Sequence, residues 1–81
     1  MHIKLLDQET TLTSATNLAN ATLVRVYNTG SAATVTHKNS SGSTIGTVTL
    51  AAGEIVLLQK AATDTLEGGS AFKSVKVAFA N

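Results

Sequence analysis

The stretch from Ser43 to Lys60 constrains the fold more than any other part of the sequence. It consists of two β-rich runs, Ser-Thr-Ile-Gly-Thr-Val-Thr-Leu and Glu-Ile-Val-Leu-Leu-Gln-Lys, separated by Ala-Ala-Gly. Glycine reaches positive φ at no steric cost, so Gly53 marks a tight turn between the runs. We therefore predict that the two runs pair as an antiparallel hairpin at the centre of a β domain.

The size of the chain limits how it can be stabilised. It has 81 residues and no cysteine, and a domain this small buries only about 60% of the surface of its unfolded chain. Disulfides and thiolate metal sites are therefore excluded, and His2 and His37 have no further ligands at metal-binding spacing. We predict a single β domain, residues 1–81, that gains stability from a partner surface.

Composition and charge argue against several classes of partner. Charged residues make up 14% of the chain and the net charge is +1, whereas nucleic-acid binding needs a clustered basic face. Lys73 and Lys76 come closest to a cluster and are better explained as a solvated strand edge. No run approaches the roughly 18 apolar residues of a membrane helix, and the first residues lack a signal-peptide pattern. We expect a protein made and used without export, with no nucleic-acid or membrane partner.

The clearest single strand is Thr22–Tyr27. Its alternation places Val24 and Val26 on a core-facing side. The opposite side carries Leu23, Arg25 and Tyr27. A turn follows, and Ala32–Lys38 returns as a strand, which predicts a second hairpin.

Shorter segments complete the predicted fold. We expect strands at Met1–Leu6, Thr10–Thr13 and Phe72–Phe79, and a loop with a helical turn at Ser14–Asn20. Ala61–Glu67 is predicted to be a connection anchored by Leu66, and 68–70 a hinge-like loop. About seven short strands with regular turn signals predict an all-β fold, either a small antiparallel β-sandwich or a partly closed barrel.

The run Ile55–Leu58 is apolar on both of its faces. A strand of this kind is normally covered twice, because each exposed apolar face costs free energy in water. The two covers could be a second sheet and a loop, or one sheet and a neighbouring subunit.

No group of residues forms a catalytic pattern. Asp7 with Glu9, and Asp64 with Glu67, are carboxylate pairs in peripheral turns, where we expect solvated side chains. His37 lies in a strand and is expected at the surface or half-buried. Lys60 and Asp64 are close in sequence, which predicts a stabilised turn, with a partner contact as the alternative. We predict no enzymatic activity and no cofactor.

A series of runs and turns spans most of the chain, from Leu23 to Phe79. Its parts are Leu-Val-Arg-Val-Tyr-Asn28, a Thr/Gly/Ser loop, Thr34-Val-Thr, Gly42-Ser-Thr-Ile-Gly46-Thr-Val-Thr-Leu50, Ala52-Gly-Glu54, Lys60 before Thr63-Asp-Thr65, and Val77-Ala-Phe79. This pattern resembles that of small β-rich virion structural proteins of tailed bacteriophages, particularly those that infect marine cyanobacteria.

The resemblance implies a head decoration or cement protein, made in the host cytoplasm and located on the capsid surface of the virion. It implies a homo-oligomer that binds the major capsid protein or other virion proteins, without cofactor or catalytic residues. The contact is expected on the second apolar face of Ile55–Leu58 or on the Leu23/Tyr27 side of the earlier strand, where Tyr27 and Arg25 are residue types typical of interface anchors. The candidate interface residues are Leu23, Arg25, Tyr27, Ile55 and Leu57.

Two alternatives remain from the sequence. The first is a component of the neck, tail or fibre attachment of the virion. The second is a small carbohydrate-binding module, which is disfavoured because sugar sites present exposed aromatic rings and the sequence offers only Tyr27 for that purpose.

Overall fold

The computed structural model describes residues 2–80, which contain eight β-strands and no helix. The strands are β1 (His2–Leu5), β2 (Thr10–Leu12), β3 (Leu23–Asn28), β4 (Ala33–Lys38), β5 (Thr44–Leu50), β6 (Ile55–Gln59), β7 (Thr65–Glu67) and β8 (Gly69–Ala80). The predicted all-β class is confirmed. Met1, at the start of the first predicted strand, lies outside the described residues. Across residues 2–80, no helix of the length and apolarity needed to span a membrane is found.

The strands form two antiparallel sheets. In the five-stranded sheet, β1 and β2 both pair with β8, which is followed by β3 and then β6. In the three-stranded sheet the order is β5, β4, β7. Of the two predicted architectures, the structure is therefore the β-sandwich and not the barrel.

The core lies between the two sheets. Val24 and Val26 are fully buried, as their alternation in β3 predicts, and Phe72 joins them from β8. The three-stranded sheet contributes Val35 and Leu66 from the other side. The complete cluster of buried apolar side chains is Leu12, Leu18, Ala21, Val24, Val26, Val35, Leu50, Leu66 and Phe72.

Both predicted hairpins are wrong. β5 pairs with β4, and β6 pairs with β3, so the turn at 51–54 carries the chain from one sheet to the other. Gly53 has the predicted positive φ, +79°, while Ala52 does not, and Glu54 N–H donates to the carbonyl of Ala51 at 3.0 Å. This is a type II turn, and such turns splay the flanking strands instead of matching their twist as type I′ and II′ turns do. In the structure, a hairpin joins β4 to β5 through the polar loop 39–43.

Asn28, the last residue of β3, fixes this crossing between the sheets. Its backbone N–H donates to the carbonyl of Glu54 at 3.0 Å, and its carbonyl accepts from Gly53 N–H at 2.8 Å. Its fully buried side-chain amide donates to the carbonyls of Ser31, Leu50 and Ala51 at 3.0, 3.0 and 3.3 Å. Because these carbonyls lie where the chain leaves one sheet for the other, a single side chain ties the two sheets together.

Three connections differ from or refine the predictions. The segment predicted as a plain connection contains β7, where Leu66 is fully buried, and β8 begins at Gly69 inside the predicted hinge. Leu66 is drawn into a strand because β4 offers it an unpaired edge. The loop predicted at Ser14–Asn20, between β2 and β3, is confirmed. Its helical turn is left-handed, since residues 18–20 have φ from 56° to 60° and Ala21 N–H donates to the carbonyl of Asn17.

Candidate interaction surface

All five predicted interface residues lie on one face of the five-stranded sheet. Leu23, Arg25 and Tyr27 alternate with the buried valines of β3, so they point away from the core. Arg25 is opposite Leu57 and Tyr27 is opposite Ile55 in the register between β3 and β6. The structure therefore brings these side chains together on adjacent strands, whereas the sequence left open whether β3 and β6 were neighbours.

The same face continues across β8 and β1, which the sequence-based prediction missed. Val75 is opposite Arg25, Val77 is opposite Leu5, and Phe79 is opposite Ile3. We call this surface the outer face. Its members are Ile3, Leu5, Thr11, Leu23, Arg25, Tyr27, Ile55, Leu57, Gln59, Lys73, Val75, Val77 and Phe79. Val75 and Val77 are buried. The alternation in β1 and β8 was a usable signal, but their pairing is between the two ends of the chain.

Several large apolar side chains of the outer face are in contact with solvent. Leu5 is 69% exposed, Ile55 51%, Phe79 50% and Leu57 39%. Ile55–Leu58 was expected to be covered on both faces, and in the described part of the chain only its inner side is packed against the core. Exposed apolar side chains that share one sheet face are typical of protein–protein contact sites.

Polar groups on the outer face are few and partly ordered. The Arg25 guanidinium lies 5.7 Å from the centre of the Tyr27 ring and 3.8 Å from the Glu9 carboxylate. Lys73 is on this face, but Lys76 is on the other side of β8 and donates to a backbone carbonyl at 3.0 Å. The prediction that the two lysines mark a strand edge is wrong, because at these residues β8 pairs with β3 and is not an edge strand.

The outer side of the three-stranded sheet has the opposite character. We call it the threonine face, and its members are Thr34, Thr36, Lys38, Thr47, Thr49 and Glu67. Hydroxyl groups of Thr34 and Thr49 are hydrogen-bonded at 3.1 Å across the strands. Lys38 and Glu67 form an ion pair at 2.8 Å. The polar side chains of this face can remain hydrated. Two apolar side chains of the same sheet, Ile45 and Val48, are also exposed, at 57% and 40%.

Lys60, Asp64 and His37 form a polar cluster where β6 connects to β7. The Lys60 ammonium donates to the carbonyls of Ala21 and Ala61 at 2.6 and 3.2 Å. The Asp64 carboxylate accepts from Ala61 N–H at 3.3 Å and lies 2.9 Å from His37 Nε2. Burial lowers the pKa of Lys60, and the nearby Asp64 charge opposes part of that shift. These bonds hold the turn that the sequence predicted, using groups from three separate segments.

The predicted carboxylate pairs have different outcomes. Asp7 and Glu9 are exposed, as expected of turn residues. Asp64 is buried, so the prediction of a solvated side chain is wrong for this residue. The reason is β7, which pairs with β4 and brings Asp64 against His37. Within residues 2–80, no three histidine, cysteine or acidic side chains converge as metal ligands.

Comparisons of the chain with protein-family models, with curated proteins and with solved structures find no match.

Proposed function

We propose that this protein is a non-enzymatic structural subunit of a virion, a head decoration or cement protein that binds the major capsid shell through its outer face. The observation that supports the proposal is the set of large apolar side chains left exposed on one side of the sandwich. Burying one such side chain completely is worth about 1.5–3 kcal/mol relative to full exposure. A partner that covers four of them at once would gain a substantial binding free energy.

The dimensions of the molecule suit this role. The Cα extents are 31 × 30 × 19 Å, so the sandwich is a slab whose broad side measures roughly 900 Å². A standard protein–protein interface buries about 800 Å² on each partner. The outer face therefore offers an area of the right order without any rearrangement of the fold.

The centre of the outer face contains the residue types that carry binding energy in known interfaces. Tyr27 and Arg25 are half-buried and hold each other in place through the cation–π contact. Side chains that are ordered before binding lose less conformational entropy when the partner arrives. We expect these two residues to act as anchors and the surrounding apolar side chains to exclude water.

Attachment to a capsid would also stabilise the folded state of a chain this small. A partner that binds only the folded state stabilises it by mass action, by about 2.7 kcal/mol when its concentration is 100 times the dissociation constant. The regular lattice of a capsid supplies such a partner at high local concentration.

The copy number in purified virions tests the proposal. Head decoration predicts a number that approaches that of the major capsid protein, together with weaker capsids when the protein is deleted. A handful of copies for each particle would indicate the neck, tail or fibre attachment. Absence from virions would overturn the proposal.

Substitutions test whether the outer face makes the contact. We expect Tyr27→Ala and Arg25→Ala to leave the isolated protein folded and to abolish its incorporation into particles. Thr47→Ala on the threonine face is the matched control and should incorporate normally. If Tyr27→Ala and Arg25→Ala incorporate like the control, the outer face is not the contact.

A further inference from the structure

β6 is an edge strand of the five-stranded sheet. β3 pairs with one side of it, and within residues 2–80 no strand pairs with the other side. At one end of the pairing Asn28 N–H donates to the carbonyl of Glu54, and at the other end Lys60 N–H donates to the carbonyl of Thr22, both at 3.0 Å. Backbone groups of successive residues point to alternate sides of a strand, so the even-numbered residues face β3. The residues whose N–H and C=O groups point to the open side are Ile55, Leu57 and Gln59.

The open edge of β6 lacks the usual protection of an edge strand. Natural edges are commonly blunted by lysine, proline or a bulge. Ile55–Gln59 contains neither of these residues, and its pairing with β3 has no register shift. The edge of β5 does carry a bulge, because its pairing with β4 shifts register between His37 and Lys38. Of these two edges, β6 is therefore the one suited to accept another strand.

A crevice of about 170 Å³ lies between β5 and β6 at the same side of the sandwich. Val48 shows that the core is left uncovered there. It is opposite Val35 in the register of β4 and β5, so both side chains point between the sheets, yet Val35 is 1% exposed and Val48 is 40% exposed. Leu58 and Gly46 also line the crevice, and Gly46 contributes no side chain to it. An apolar group is therefore missing at this point of the sandwich.

The chemistry of the edge and the crevice defines the ligand. A row of free backbone donors and acceptors is matched by an extended peptide backbone. Of the described residues that line the crevice, His37 alone is ionisable, and its Nε2 already lies 2.9 Å from the Asp64 carboxylate. A charged side chain would be desolvated here without a free partner, so the ligand is uncharged. A cavity of about 150 Å³ holds a benzene-sized group, so the crevice has room for one leucine or phenylalanine side chain.

We propose that β6 binds an extended, uncharged segment of another protein. The segment adds a sixth strand to the five-stranded sheet and places one leucine- or phenylalanine-sized side chain in the crevice, beside Val48 and Leu58. A β6 strand from a second copy of this chain has no such side chain to offer, because its Val56 and Leu58 are packed against its own core. This site goes beyond the proposed virion role, since it binds a peptide backbone at the sheet edge and does not require a capsid.

Titration with a synthetic peptide tests the site. The probe is acetyl-Thr-Thr-Thr-Leu-Thr-Thr-Thr-amide, which is uncharged, favours extended structure and has a single apolar side chain. Added to ¹⁵N-labelled protein, it should cause saturable shifts of the amide signals of Ile55, Leu57 and Gln59, whose N–H groups gain acceptors. The same peptide with alanine in place of leucine should bind about tenfold more weakly, because it leaves the crevice partly empty.

Gly46→Leu tests the crevice without altering the edge of β6. A Cβ atom at Gly46 would meet no atom within 4 Å, and an interior glycine weakens a strand, so the variant should remain folded. Its side chain would occupy the crevice, and we expect it to bind the leucine peptide about tenfold more weakly. The matched control is Thr49→Leu, on the threonine face of the same strand, which should bind like the unmodified chain.

Gln59→Pro tests the backbone edge. Because Gln59 N–H points to the open side, proline removes one donor from the edge and none from the pairing with β3. We expect the variant to remain folded and to lose most of its affinity for the peptide. Gln59→Thr, which keeps the N–H group, is the matched control and should retain binding.

Any of four results would overturn the inference. They are no saturable shift up to the solubility limit of the leucine peptide, shifts on β5 in place of β6, equal affinity for the leucine and alanine peptides, or unchanged binding by a folded Gly46→Leu. A dimer paired through β6 in the absence of peptide would also overturn it and would identify a second copy as the occupant. None of these outcomes bears on the capsid role, which depends on the outer face and is tested by incorporation into particles.

Discussion

The two outward surfaces of the sandwich are built from the same secondary structure and have opposite chemistry. The three-stranded sheet turns threonines, one lysine and one glutamate to solvent, and the hydroxyls of Thr34 and Thr49 bond to each other. The five-stranded sheet turns leucine, isoleucine and phenylalanine to solvent, with Tyr27 and Arg25 in their midst. Among the described residues, the outer face holds four of the seven large apolar side chains that are exposed, whereas the three-stranded sheet exposes two, Ile45 and Val48. The outer face therefore has more free energy to gain from being covered.

The difference between the two surfaces can be related to how apolar and polar residues alternate along each strand. β4 and β5 alternate apolar residues with threonine, the pattern of a strand with one wet face. β3, β6 and β8 carry apolar residues on both sides, although only one side can point into the core. Val75 and Val77 of β8 are themselves buried, whereas Ile55, Leu57 and Phe79 are exposed. The exposed part of this surplus hydrophobicity marks where a neighbour is expected.

The largest effect should come from placing a charge on each surface in turn. Leu57 and Thr47 are both exposed residues of edge strands. Leu57 is on β6, at one edge of the five-stranded sheet, and Thr47 is on β5, at one edge of the three-stranded sheet. We expect Leu57→Asp to weaken binding to purified particles by about 100-fold, since a carboxylate would be desolvated in an apolar contact. Thr47→Asp should change the affinity by less than about twofold. Equal losses for the two variants would remove the distinction between the faces.

The second effect concerns Asn28, whose side chain links the two sheets. Asn28→Ala should lower the free energy of unfolding by about 3 kcal/mol, because it removes a buried hydrogen bond to the carbonyl of Leu50 and part-buried ones to those of Ser31 and Ala51. Urea unfolding measures this loss. Asn39→Ala is the matched control: its side chain accepts two N–H groups in an exposed loop, and its loss should cost about 1 kcal/mol or less. Comparable costs would show that Asn28 does not hold the crossing.

The third effect is a pH dependence at the connection between the sheets. Burial lowers the pKa of Lys60 from its ordinary 10.5, so between the two values the unfolded chain binds more protons than the folded protein. Stability should therefore rise as the pH increases through this interval toward 10.5. The comparison is with Lys60→Met, which lacks the titrating group, and the quantity to measure is the difference in unfolding free energy against pH. A difference that falls with rising pH would contradict the assigned direction.

The smallest effect is expected on the threonine face. Thr34→Val removes one hydroxyl from an exposed hydrogen bond and keeps a β-branched side chain, so the unfolding free energy should change by no more than about 0.5 kcal/mol. Thermal unfolding measures it, with Val35→Ala in the buried layer as a contrasting variant. A loss above about 1 kcal/mol for Thr34→Val would mean that this face contributes to stability and is not simply hydrated.

Local features of the fold followed from the sequence to a large extent. The strand at Thr22–Tyr27, the core position of Val24 and Val26, and the positive φ of Gly53 are all confirmed. These features depend on side-chain alternation and backbone sterics within a few residues. The pairing of the strands could not be obtained in this way, because a glycine turn is compatible with both a hairpin and a crossing between sheets.

The candidate interface was likewise predicted only where it depends on local sequence patterns. The five interface residues were chosen from two strands with apolar outer sides, and the structure places those strands next to each other. Leu5 and Phe79 were missed because they join the outer face only when the first and last strands pair. Asp64 was misjudged because its burial depends on His37, 27 residues earlier in the chain.

The sequence by itself determined that this chain is built from strands and that some of those strands are apolar on both sides. Tertiary structure alone decided which strands are neighbours, which residues share the outer face, and that Asn28 and Lys60 are buried. The physical reason is the separation along the sequence over which each interaction acts. Alternation and turn chemistry act between adjacent residues, whereas sheet pairing and burial depend on free energies summed over contacts between distant segments.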